Sequence, residues 1–161
     1  MLESNRLDNA GMVYDFGLMN GTVKEFIDGM DHCYLLWAME NDGFKDFVKT
    51  HCDRWIELPF SPSAEQLSMF CYVFIQDILD HTIKQNGEGV VKVKSVRYHE
   101  TTTGWAECDN YDIMNLWQPD WASQVKFSDE VVNCWSKDLK KIIFNNESII
   151  NPKVKQQVKI K

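Results

Sequence analysis

One segment constrains the fold of this 161-residue chain more than any other: the run that opens at Ser63-Ala64-Glu65 and continues to Asp80. Leu67, Phe70, Cys71, Phe74 and Ile78 recur at helical spacing and line one face. Met69, Tyr72, Val73, Ile75 and Leu79 occupy the other faces, so the helix is apolar nearly all round. Such a helix must be covered on two sides, and the expectation is its own sheet on one and a neighbour on the other. Just ahead of it, Leu58-Pro59-Phe60-Ser61-Pro62 cannot be helical throughout, because each proline pushes the preceding residue toward extended geometry.

The other segments supply the cover. Leu2 to Leu7 reads as a strand and Asp8-Asn9-Ala10-Gly11 as the turn after it. From Phe16, the residues Met19, Val23, Phe26, Ile27 and Met30 share one face of an amphipathic helix that Asp15 is placed to cap. Asp31-His32 follows its last turn, Cys33 to Ala38 is apolar and aromatic, and Asn41-Asp42-Gly43 breaks that run. Phe44 to Trp55 fits a second, shorter helix. After the turn Asn86-Gly87-Glu88-Gly89, Val90 to Glu100 reads as one long strand, joined through Thr101-Thr102-Thr103-Gly104 to a return strand at Trp105-Ala106-Glu107-Cys108. Ser128-Asp129-Glu130 starts a last helix carrying Val131, Val132, Trp135, Leu139, Ile142 and Ile143, and little order is expected beyond Asn145. The pattern is that of one α+β domain with a core of its own, without internal repeats.

Charge narrows the partners. The net charge of −7 argues against nucleic-acid or membrane-surface binding, which uses basic patches. That charge is uneven: residues 1 to 136 hold 22 acidic against 10 basic side chains, and residues 137 to 161 hold 7 basic against 2 acidic. The Lys-rich end reads as a solvated tail. Five cysteines, an odd number without a Cys-x-x-Cys pair, fit a reduced protein with free thiols. No run is long and apolar enough to span a bilayer and no signal-peptide pattern opens the chain, so a soluble cytoplasmic protein is expected.

Chemistry is expected at two places. His32 follows a carboxylate, Asp31, at an element boundary, where an imidazole can move a proton near neutral pH. Glu100 ends the long strand, where a carboxylate can accept two parallel N–H donors from a guanidine-like edge. Taken singly, a surface histidine and a solvated strand-end glutamate are the more common arrangements, and an acid such as Glu65 in a first helical turn is favoured by the helix dipole alone. No His-x-His or Cys/His cluster offers a metal site, and Cys33 reads as packing. The chain is expected to bring Asp31-His32 and Glu100-Thr101 together.

The joint order of these landmarks is more specific than any one of them. Gly11-Met12-Val13-Tyr14-Asp15-Phe16, then Asp31-His32, Pro62-Ser63-Ala64-Glu65, Val93 to Thr101 and Trp105-Ala106-Glu107 resembles the 6-pyruvoyl tetrahydropterin synthase family, most of all its 6-carboxytetrahydropterin synthase branch of queuosine biosynthesis. The resemblance covers roughly residues 2 to 109. It implies a tunnelling fold, an antiparallel sheet with two helices on one face in the order ββααββ. Here the first strand would be missing from residues 1–110, and residues 111–161 would form a C-terminal helical extension and basic tail. It further implies a homo-oligomer, a dimer of trimers with active sites between subunits.

The implied reaction is a lyase step on 7,8-dihydroneopterin triphosphate that expels triphosphate and, in the queuosine branch, a two-carbon aldehyde. Carried over residue by residue, Glu100 would anchor the pterin with Thr101 beside it, His32 supported by Asp31 would relay the proton, and Ser63 and Glu65 would stand near the substrate. The resemblance also implies zinc and a cysteine thiolate base. The family's zinc histidines and catalytic cysteine lie upstream of the point matching Leu2, and this chain contains none of them. Two expectations follow: a lyase whose sequence here lacks an N-terminal segment, or a catalytically incomplete pterin-binding or assembly-only relative. Another tunnelling-fold activity, such as an aldolase or cyclohydrolase, is the weaker third.

Overall fold

A computed structural model describes residues 1–154. Strand β1 spans Leu2–Ser4, and the Asp8 carboxylate closes the following turn by accepting from the N–H groups of Ala10 and Met12 at 2.9 and 2.8 Å. The amphipathic run from Phe16 forms two helices: α1, Phe16–Met19, capped by Asp15, and α2, Thr22–Asp28. The break falls at Asn20-Gly21, where glycine's backbone entropy weakens the helix interior. The apolar run after His32 is strand β2, Tyr34–Trp37, and α3 occupies Asp42–His51 with Asn41 as its cap. The helix expected to reach Trp55 stops earlier, because Trp55–Leu58 is strand β3, parallel to β2 in the register Tyr34↔Trp55.

Helix α4, Ala64–Asp80, begins where expected, with Ser63 Oγ accepting from Gln66 N–H at 3.4 Å. After it come β4, Thr82–Ile83; β5, Val91–Val93; β6, Ser95–His99; and β7, Trp105–Asp109. The single long strand expected over Val90 to Glu100 is thus interrupted at Lys94. Its first half pairs antiparallel with β1 and its second half with β7, so the partner changes where the ladder breaks. Beyond lie α5, Asn110–Leu116, with an Asp109/Asp112 capping box; α6, Trp121–Gln124; β8, Lys126–Phe127, antiparallel to β3; α7, Asp129–Asn133; and α8, Lys137–Asn145. The last helix expected from Ser128 is divided at Trp135-Ser136, where Ser136 Oγ caps α8 by accepting from Leu139 N–H at 3.2 Å.

Order also persists past Asn145. Strand β9, Ile149–Ile150, pairs parallel with β4, and the buried Asn151 donates to Tyr14 Oη at 2.8 Å. The lysines at 155, 159 and 161 lie outside the described residues.

Two apolar clusters flank α4. On the sheet side, Met69, Tyr72 and Leu79 meet Tyr14, Leu18, Val91, Val93 and Cys108. On the other side, Phe70, Phe74 and Ile78 meet Phe26, Ile56, Val131, Trp135, Leu139 and Ile142. The α+β class is borne out, and α4 is buried on two sides as its sequence demands. The second cover is the chain's own α2, α7 and α8 region, so the apolarity of α4 is satisfied without another subunit.

Candidate active site

The Asp31-His32 turn is shaped by what surrounds it. Helix α2 ends at Asp28 with Gly29 as its C-cap. A Cβ on Gly29 would lie 2.3 Å from Trp135 Nε1, so only glycine fits beneath that indole. His32 then adopts a left-handed backbone, φ 55°, which turns the chain from the helix end into β2. The imidazole Nε2 lies 3.6 Å from Asp31 Oδ2, with side-chain exposures of 88% and 76%. That spacing is longer than a hydrogen bond, so the two form an ion pair only when the imidazole is protonated.

Arg54 holds this turn in place. Parallel pairing of β2 and β3 sets Arg54 ahead of Trp55, where its guanidinium donates through Nε to the Asp31 carbonyl at 3.1 Å and through Nη2 to the Gly29 carbonyl at 2.9 Å. Its Nη1 reaches the Glu130 carbonyl at 3.3 Å and Cys134 Sγ at 3.1 Å. A cation at the C-terminal end of α2 also complements the helix dipole. His32, Cys33, Tyr34, Cys52, Asp53 and Arg54 line an open cleft of about 480 Å³. Sequence reasoning missed Arg54. Its only local signal is an arginine directly before an apolar strand, and its acceptors become visible once β2 and β3 are known to pair.

Glu100 and Thr101 sit at the tip of the β6–β7 hairpin. The ladder runs from Ser95↔Asp109 to His99↔Trp105, which leaves Glu100 as the first residue beyond it. The Glu100 N–H donates to the Gly104 carbonyl at 3.1 Å, and Thr101 Oγ1 accepts from Gly104 N–H at 2.7 Å. The turn therefore uses the Thr101 hydroxyl, while the Glu100 carboxylate is exposed. Lower on the hairpin, Arg97 grips Glu107 with Nε at 3.1 Å and Nη2 at 2.8 Å and stacks 4.0 Å above the Trp105 ring. The Arg97 guanidinium, with the Ser95 hydroxyl, holds the Glu107 carboxyl below the usual carboxylate range.

Ser63 and Glu65 meet at the start of α4. Backbone hydrogen bonding within that first turn, and then the Ser63 hydroxyl, hold the Glu65 carboxyl below its ordinary pKa. A second carboxylate unnoticed in the sequence is Glu57 on β3, buried between Lys49 and Lys126, with Lys126 Nζ at 2.9 Å. Burial works against its charge, and the two ammonium groups outweigh burial and lower its pKa.

The structure brings the candidate residues together in three pairs, Asp31 with His32, Ser63 with Glu65, and Glu100 with Thr101. Among the described residues no hydrogen bond or ion pair joins one pair to another. Arg54 ties the first pair to the α2 and α7 ends, while the third projects beyond the last rung of its hairpin. Nor do three His, Cys, Asp or Glu side chains converge to hold a metal ion among the described residues. The residues present do not by themselves make the zinc site the resemblance implies.

Comparison with known proteins bears on the whole arrangement. The family model for 6-pyruvoyl tetrahydropterin synthase matches residues 1–111, which include all three pairs. A Helicobacter pylori protein (strain J99) named 6-carboxy-5,6,7,8-tetrahydropterin synthase is 41% identical over 114 residues, covering 71% of this chain and 57% of that relative. The protein of the same name from Helicobacter pylori strain 26695 is 38% identical over 152 residues, covering 91% of this chain and 74% of that relative. The second alignment thus extends well past the region the family model matches. By the span of that match and the identity along it, the chain belongs to the 6-pyruvoyl tetrahydropterin synthase family.

Proposed function

We propose that the chain is a lyase of the 6-carboxytetrahydropterin synthase type that acts on 7,8-dihydroneopterin triphosphate in queuosine biosynthesis. The carrying observation is the identity with two relatives of that name, together with a family match that spans Asp31-His32, Ser63 to Glu65 and Glu100-Thr101. In this reading Glu100 accepts the guanidine-like N–H edge of the pterin, for which an exposed carboxylate at a hairpin tip is suitably open. Thr101 fixes the tip through its turn hydrogen bonds. His32 moves the proton, and Asp31 stabilises the imidazolium across 3.6 Å once the site is covered and water is excluded. Ser63 and Glu65 hold the start of α4 beside the substrate. A homo-oligomer, a dimer of trimers in this reading, sets Asp31-His32 of one copy against Glu100 of another. The setting is the cytoplasm, with the five thiols reduced.

A second reading, a pterin-binding or assembly-only relative, is favoured by one observation: no three ligating side chains converge on a metal among the described residues. Incubation of the purified chain with 7,8-dihydroneopterin triphosphate, with product identification by mass spectrometry, separates the two. The lyase reading expects triphosphate release and a 6-carboxy pterin. Binding of the substrate without product supports the second reading, and a different pterin product overturns both.

A further inference from the structure

Arg54 gathers more than carbonyl groups. Cys33 in the turn after α2 and Cys134 at the end of α7 come from distant parts of the chain, and each brings a thiol beside the same guanidinium. Cys134 Sγ accepts from Arg54 Nη1 at 3.1 Å and donates to the Glu130 carbonyl at 3.2 Å. Cys33 Sγ donates to the Gly29 carbonyl at 3.2 Å, and that carbonyl also accepts from Arg54 Nη2 at 2.9 Å. The two thiols therefore flank one cation, Cys134 exposed and Cys33 half-buried.

The other cysteines differ. Burial pushes the Cys71 thiol up to about 12, and burial likewise raises Cys108. Cys52 lines the cleft and shares no hydrogen-bond partner with Arg54 among the described residues. A cation within hydrogen-bond distance favours the thiolate, which is the nucleophile of thiol oxidation. Burial raises the Cys33 thiol while Arg54 opposes that rise, and the exposed Cys134 is the thiol that peroxide reaches first.

We propose that Cys134 and Cys33 are a peroxide-reactive thiol pair that closes into an intramolecular disulfide across Arg54. The Cys134 thiolate attacks hydrogen peroxide, the O–O bond breaks, and the products are a sulfenic acid and hydroxide, which takes up a proton to become water. The Cys33 thiolate then attacks the sulfenic sulfur, the S–S bond forms and the S–O bond breaks, and the departing hydroxide is protonated to a second water. Two thiols are oxidised, and one peroxide takes the two electrons. Closure pulls both sulfurs toward the position of the guanidinium and so loosens its bonds to the Gly29 and Asp31 carbonyls, which hold the turn that carries His32. The thiol chemistry stands apart from the pterin reading, and only its consequence for catalysis rests on it.

The test uses the full chain, treated with equimolar hydrogen peroxide, alkylated and digested without reduction. The expected result is a Cys33–Cys134 peptide pair, lighter by two hydrogens than the separate peptides and abolished by dithiothreitol. In Cys33→Ser, dimedone should label Cys134 as the sulfenic acid; in Cys134→Ser, Cys33 should remain a thiol at the same peroxide dose. A cross-link between two copies, oxidation spread evenly over Cys52 and Cys134, or no cross-linked pair in protein whose circular dichroism is native would overturn the proposal. Loss or retention of pterin turnover has no bearing on that readout.

Discussion

His32 holds a left-handed backbone, φ 55°, a conformation that costs an L-residue roughly 1–2 kcal/mol and that histidine tolerates better than branched side chains. The Asp31 and Gly29 carbonyls bonded to Arg54 keep it there. A residue held in a sparsely populated conformation, beside a carboxylate and facing a cleft, is a recurrent arrangement at functional sites. If His32 relays the proton, His32→Gln should lower kcat by about 10²- to 10⁴-fold with little change in Tm. Unchanged kcat would remove it from the chemistry. Glu57 gives a different prediction, about stability. Its folded-state pKa lies below its ordinary value of 4.5, so its contribution is full above that value and is lost as pH falls through the depressed one. Thermal melts of the wild type should therefore lose more between about pH 5 and pH 3 than those of Glu57→Gln, whose profile lacks this step. Parallel profiles would show that the Lys49 and Lys126 pairing contributes no such linkage.

At the scale of elements, the strongest single constraint is the contact of α2 with Trp135. Gly29→Ala would place a methyl 2.3 Å from the Trp135 Nε1 atom and 3.2 Å from the Glu25 and Phe26 carbonyls. The expected cost is about 1–3 kcal/mol, read as a lower urea midpoint, and an unchanged midpoint would contradict the packing described here. The starts of α1 and α4 were legible because caps and periodicity are local: Asp15 and Ser63 each accept a backbone N–H at the helix start they occupy, whereas the Ser136 cap that divides the last expected helix was not read. Strands β2 and β3 were not, since a short apolar run such as Tyr34–Trp37 fits a buried strand or a helix segment equally and is decided by its partner. For the same reason Arg54 could not be chosen, as its acceptors are set by chain crossings rather than by neighbours in sequence. Order from Ile149 to Val154 was hidden too, because it depends on β4, Tyr14 and Asn86 far upstream. Of the candidate site, the sequence carried the identities of the residues, and only the fold showed that Thr101 and Ser63 already spend their hydroxyls on a turn and a helix cap.

For the whole molecule, α4 is the axis on which both clusters pack, with the sheet on one side and the chain's later helices on the other. Residues past the family match, Val131, Trp135, Leu139 and Ile142, belong to the same core as Phe26 and Phe70 from within it. An assembly of copies must therefore rest on surfaces other than the far face of α4, and the open tip of the β6–β7 hairpin places Glu100 where a second copy can reach it. The lyase and binding-only readings share one claim, that this chain takes a pterin through Glu100. Calorimetric titration of 7,8-dihydroneopterin into the wild type and Glu100→Ala, with the oligomeric state of both followed by light scattering, tests it most directly. The account expects saturable binding by the wild type, its loss in Glu100→Ala, and the same assembly in both; equal affinity in the two proteins would contradict it.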